Sequence, residues 1–255
     1  MTVDDIVGRI LTRIDDSSDT PVSVTEAEAL SAVNEGQDFF CWLTLCLETT
    51  LPLTFTAHNS FGVIRTTFPD FLAPLRVAIG PKRLRPSTLK DFDARNDQWQ
   101  TASGPPSRYV AEGFNFWAID SQPAFDTVSN WTYARSPLPL ALGVIPNQTP
   151  EIPEIYHPAL VNYGQYRVKL KEGAQGLQRG MGQFNLFLDA AQEHGDFVRA
   201  RSRAAGYDTL PFELKLFDRR GLYDLDRRKR RVPPAVPTVS GDAAGSNAGS
   251  GEAAR

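Results

Sequence analysis

The sequence predicts an α+β protein. N- and C-terminal helices form one helical bundle, an antiparallel β-rich domain is inserted between them, and an extended C-terminal arm follows. Three observations predict this. Apolar residues recur at helical spacing up to Thr49 and again after Pro158. Between those points the pattern breaks into short aromatic and β-branched runs punctuated by Gly and Pro. After Gly206 periodicity disappears, and the chain turns basic, then proline-rich, then Gly/Ala/Ser-rich. The expected segments are 1–50 and 151–206 for the bundle, 51–150 for the β domain, and 207–255 for the arm and its low-complexity tail.

The first helix is expected over Thr2–Ile14, with Val3, Ile6, Val7, Ile10, Leu11 and Ile14 on one face. Thr2 suits its N-cap, and Asp4 and Asp5 suit the positive end of its dipole. A polar loop, Asp15 to Pro21, separates it from a second helix. Thr25-x-x-Glu28 fits a capping box for that helix, which is expected to reach Thr49 and be ended by Pro52. Leu53–Ala57, Val63–Phe68 and Arg76–Ile79 read as strands, and Thr88 as the cap of a short helix.

The stretch from Trp99 to Pro139 reads as a three-strand antiparallel meander. Its strands are Arg108–Glu112, Phe114–Ile119 and Phe125–Tyr133. In the third, Phe125, Thr127, Ser129, Trp131 and Tyr133 share one face. A proline-marked connector then leads to a helix opening at Pro158, which suits a first turn. Gly173 stops that helix. The last helix is expected from Ala174 to Ala205. Leu177, Met181, Phe184, Leu188, Ala191, Gly195 and Val198 form a near-heptad seam along it. Gly176, Gly180, Gly182 and Gly195 weaken this helix by about 1 kcal/mol each relative to Ala, so it needs close packing against neighbours.

The 255 residues suffice for one large or two small domains, and the 41% hydrophobic content is lowered by the tail. The net charge of −3 hides an asymmetry. Residues 1–214 hold 18 Lys/Arg against 25 Asp/Glu, and residues 215–231 hold 8 against 3. An acidic body argues against nucleic-acid binding there, whereas the basic segment suits phosphate or an acidic partner. No signal peptide is expected, because Asp4 and Asp5 interrupt the first apolar pattern. No apolar run approaches the roughly 20 residues of a membrane helix.

Chemistry is sparse. HExxH, GxSxG, GxGxxG and P-loop patterns are absent. His58, His157 and His194 fall in different elements. His157 is expected at a helix start and His194 on the solvated side of the last helix. Cys41 and Cys46, five apart in the expected second helix, would lie on different sides of it as free, buried thiols. No cofactor and no metal are expected. Glu112 and Asp120 are carboxylates that a hairpin could bring together for hydrolysis. The aromatics Phe114, Phe116, Trp117, Trp131 and Tyr133 read as core, with a carbohydrate platform as the alternative. Arg227–Arg231 reads either as a solubilising run or as a tether, and Leu222 and Tyr223 upstream favour docking.

The order of elements carries a resemblance. Helices are followed by Gly80-Pro81 between strands, Trp99, Gly104-Pro105, Tyr109-Val110, Trp131-Thr132-Tyr133, Ser136-Pro137-Leu138, and Tyr156-His157 opening two helices. Over roughly Met1 to Gly206 this resembles the head–tail connector (adaptor, or head-completion) proteins of short-tailed bacteriophages, the tail-tubular-A-like group. The resemblance implies a virion structural protein at the head–tail junction, synthesised in the host cytoplasm, and not an enzyme. It implies self-association into a ring of about twelve copies. The implied partners are the portal protein, a tail or nozzle protein, and genomic DNA passing without sequence-specific binding; no membrane is implied. The arm, Tyr207 to about Pro237, would lie along neighbouring subunits. Its contacts would be the apolar Leu214, Leu216, Phe217, Leu222 and Tyr223, and the basic Arg219, Arg220, Arg227, Arg228, Arg230 and Arg231. The alternatives are a virion-associated peptidoglycan hydrolase and a carbohydrate-binding β-domain protein.

Overall fold

The computed structural model describes residues 1–15, 24–113, 115–143 and 148–211. Asp16–Pro21 of the expected loop, Phe114, and the arm beyond Pro211 lie outside them. Helix α1 (Val3–Asp15) starts where Thr2 caps it: the Asp5 amide donates to the Thr2 hydroxyl at 3.2 Å, and the Thr2 amide to the Asp5 carboxylate at 3.1 Å. Helix α2 (Glu26–Thr44) opens on the Thr25/Glu28 capping box. It does not reach Thr49. Leu45 adopts a left-handed conformation (φ 49°, ψ 37°), and its amide closes the helix on the Cys41 carbonyl at 2.8 Å. Such a backbone costs a branched residue on the order of 1 kcal/mol. Burial of Leu45 against Leu75 and Ala134 offsets that cost.

Among the described residues the strands are β1 (Glu48–Phe55), β2 (Phe61–Val63), β3 (Phe71–Ile79), β4 (Lys82–Arg83), β5 (Arg85–Pro86), β6 (Arg108–Glu112), β7 (Phe116–Ile119) and β8 (Thr127–Arg135). They form two sheets, ordered β1-β8-β3-β4 and β2-β7-β6-β5, antiparallel throughout except where β5 meets β6. Pro52, expected to end a helix, sits inside β1. That strand is an edge paired only with β8, so the missing amide is tolerated. Val63–Phe68 is a strand only at Val63; Ile64 and Phe68 lie in the turns that follow, yet both are fully buried.

The expected meander is half right. Strands β6 and β7 form a hairpin, but β8 leaves it and runs between β1 and β3 in the other sheet. Alternation along β8 fixes which face is buried and says nothing of which strand pairs with it. The face itself is as expected: Ser129, Trp131 and Tyr133 are buried, while Asp126, Val128 and Asn130 are exposed. Phe125 departs from it, being 80% exposed. One core joins both sheets, built from Phe55, Phe68, Tyr109, Trp117, Trp131 and Tyr133 among others. A second core, Phe92, Trp99, Val110 and Ala118, seats α3 (Leu89–Arg95) with its Thr88/Asp91 capping box.

Helices α4 (His157–Lys169) and α5 (Ala174–Ala205) complete the α-helices of the described residues. Helix α4 touches α1, α2 and α5, and α2 also touches α1 and α5. Close approach explains two glycines. A Cβ on Gly164 would stand 2.3 Å from Ile10 Cδ1, and one on Gly36 would stand 2.8 Å from the Tyr163 ring.

The segment between β8 and α4 is tied down by Glu151. Its carboxylate takes two bonds from Arg135, each 2.9 Å, and one from the Leu138 amide at 2.9 Å. The Glu151 amide donates to Gln37 of α2 at 3.1 Å. Arg135 holds the Glu151 carboxyl below its ordinary 4.5. A depressed carboxyl contributes stability above pH 4.5 and loses it as pH falls through the folded pKa. Glu151→Gln is therefore expected to cost about 1 kcal/mol at pH 7 and to shrink the difference below pH 4, as read by urea midpoints across pH.

Candidate interaction surface

Sequence reasoning placed the interface in Leu214, Leu216, Phe217, Leu222 and Tyr223 with Arg219, Arg220, Arg227, Arg228, Arg230 and Arg231. All of these lie outside the described residues. The rival sites fare differently. Glu112 pairs opposite Phe116, whereas Asp120 follows Ile119 at the far end of the hairpin. Four residues of strand separate them, about 13 Å, beyond the roughly 5–10 Å of a glycosidase pair. Asp120 is moreover engaged by the Ser107 amide and hydroxyl and by the Arg108 amide. Trp117 and Trp131 are 5% and 0% exposed, so neither offers a ring face to a sugar. His157 begins α4 as expected, its Nε2 3.0 Å from the Ile152 carbonyl. His194 is a correction: it is buried against Phe40 and Tyr156, at ring separations of 5.8 and 4.7 Å. It lies three residues after Ala191 and four before Val198, on the buried face of α5.

What the described residues do present is an unfinished seam on α5. From Phe187 onward the inward face is covered: Phe187, Leu188, Ala191, Gly195 and Val198 are buried. In the first turns of the same helix Leu177 and Met181 are 44% and 39% exposed. Phe184 continues this stretch into an aromatic stack, with Phe39 6.4 Å away and Trp42 6.1 Å beyond Phe39. Trp42 is itself 40% exposed. Leu177, Met181, Phe184, Phe39 and Trp42 thus make a continuous apolar ribbon from α5 to α2. An apolar strip left in water on an otherwise buried seam marks a contact site.

The second feature is the root of the arm. Gly206 ends α5 with φ 67°, and the chain crosses to the open edge of β3. The Asp208 amide donates to the Leu75 carbonyl at 2.8 Å, and the Thr209 hydroxyl to the Pro74 carbonyl. The Asp208 carboxylate accepts from Arg83 and, at 3.0 Å, from the Tyr109 hydroxyl. Burial, and then the neighbouring Asp208 charge, push the Tyr109 phenol well up, so it stays a donor. The Tyr207 hydroxyl donates to Glu48 at 2.8 Å. Residues 207–211 are thus held on two sides, by β3 and, through the Pro211 carbonyl, by Arg199 of α5.

A family model described as SU10 adaptor protein matches residues 1–209. The chain belongs to the SU10 adaptor protein family. This is a bacteriophage head–tail adaptor family, so the protein is a structural component of a virion. The match to the SU10 adaptor model ends at Thr209, which is bonded to β3, and residues 210–255 lie beyond it. No curated protein matches the chain. Among the described residues of this SU10 adaptor family member, no group of three or more His, Cys, Asp or Glu is placed to hold a metal. None of their helices is long and apolar enough to cross a membrane.

Proposed function

We infer that the protein is the head-to-tail adaptor of its virion, forming a ring of about twelve copies beneath the portal that lets DNA pass. The observation that carries this reading is the open end of the α5 seam. A heptad-like strip buried along most of its length and bare at Leu177 and Met181 suits completion by a second copy. In this reading α1, α2, α4 and α5 act as the lateral bundle. The arm reaches the portal or a neighbouring subunit, through Leu214, Leu216, Phe217, Leu222 and Tyr223 and the arginines between Arg219 and Arg231. The acid excess of residues 1–214 suits a channel that repels DNA and does not grip it.

The test mixes the purified protein with its portal and follows ring formation by electron microscopy and native mass. Leu177→Asp with Met181→Asp is expected to weaken self-association at least tenfold, about 1.4 kcal/mol, while leaving the fold intact. Rings at wild-type yield from that double variant would remove the α5 seam from the interface. A chain ending at Pro211 is expected to fold and to lose portal docking; one ending at Gly206 would also lose the Asp208 anchor and is the wrong truncation.

A further inference from the structure

The turn that ends α2 brings two thiols together. When a helix closes on a left-handed residue, the side chain that follows folds back toward the last turn. Leu45 is that residue, Cys46 follows it, and Cys41 lies in the turn whose carbonyl accepts the Leu45 amide. The two sulfurs are 3.8 Å apart, and both cysteines are free. The sequence reading had set them on different sides of one helix. The helix ends at Thr44, so the spacing of five is no longer measured along a cylinder. Cys41 is fully buried, whereas Cys46 is half-buried as a residue.

We propose that Cys41 and Cys46 are a reactive dithiol, a modification site that hydrogen peroxide closes into an intramolecular disulfide. The contact with Cys41, and with His194 and Thr44 behind it, draws the Cys46 thiol below the ordinary range. The same contact, together with burial, drives Cys41 upward. Cys46 is therefore the attacking thiolate and Cys41 the resolving thiol. The Cys46 sulfur attacks one peroxide oxygen and the O–O bond breaks. The departing hydroxide takes up the proton that Cys46 released, leaving as water and Cys46 as a sulfenic acid. The Cys41 sulfur then attacks the Cys46 sulfur. The S–O bond breaks, and its hydroxide leaves as water with the Cys41 proton. Two thiols and one peroxide give one disulfide and two waters, with two electrons passing from sulfur to peroxide.

The bond would lock the turn that carries the chain from α2 into β1. A reducing cytoplasm keeps such a pair open, and an oxidising medium closes it. The timing, open during assembly and closed after release, rests on the virion reading; the chemistry at the turn does not.

The experiment treats full-length protein with a small excess of hydrogen peroxide. Thiols are then counted with a disulfide reagent in denaturant, and intact mass is measured. Both thiols are expected to disappear with a loss of about 2 Da, on a monomeric chain, and to return on reduction. Cys41→Ser is expected to halt the reaction at Cys46 and give a sulfenic acid that dimedone traps. Closure should be at least tenfold faster in the native protein than in denaturant. Equal rates, two surviving thiols, or a disulfide between two chains would each overturn the proposal. Circular dichroism of the serine variants separates these outcomes from misfolding.

Discussion

Asp208→Ala is expected to cost about 3 kcal/mol of folding stability, with the urea midpoint lowered and the slope unchanged. The Asp208 side chain is 9% exposed and answers two donors, the Arg83 guanidinium and the Tyr109 hydroxyl. Removing it strands a charge and a phenol whose residue is 1% exposed, and an orphaned buried donor carries its full desolvation cost. Arg83, 36% exposed, recovers part of its hydration, which places the figure at the low end for a broken buried pair. Asp208→Asn keeps an acceptor for Tyr109 and should lose about half as much. A loss below about 1 kcal/mol for the alanine variant would mean the arm root is not anchored at β3.

Gly164→Ala is expected to cost about 2 kcal/mol, although alanine is the better helix former by about 1 kcal/mol. The added carbon would meet Ile10 Cδ1 at 2.3 Å and Cγ1 at 3.0 Å, and Ile10 is fully buried. Ile10→Val deletes Cδ1. Alone it should cost about 1 kcal/mol, yet combined with Gly164→Ala it should restore most of the loss. Simple additivity in that cycle would show that α1 and α4 do not meet at this point.

How much of this was legible in the sequence depends on whether the signal was local. Thr25-x-x-Glu28, Thr88, the proline after His157 and the glycines at 173 and 206 are each written within one helical turn. The bounds of α5 follow from the last two. The end of α2 was not legible. Leu45 carries no turn signature, and its left-handed backbone exists because Leu75 and Ala134, far away in sequence, bury it. The transfer of β8 to the other sheet is equally non-local, since its register with β1 spans some eighty residues. The same divide governs the candidate surface. The α5 seam could be read from its spacing, but which turns of it stay bare depends on how far α2 and α4 extend beside it. The Cys41–Cys46 contact was hidden by the misplaced helix end.

The stitching of Asp208 and Thr209 to β3 has a mechanical consequence. A pull that reaches Pro211 is met within four residues by the bonds of Asp208 and Thr209 to β3. The Pro211 carbonyl also accepts from Arg199 of α5, so tension reaches the helix and the sheet together. A protein anchored this way would divide strain from its trailing end between its sheet and the helix beside it.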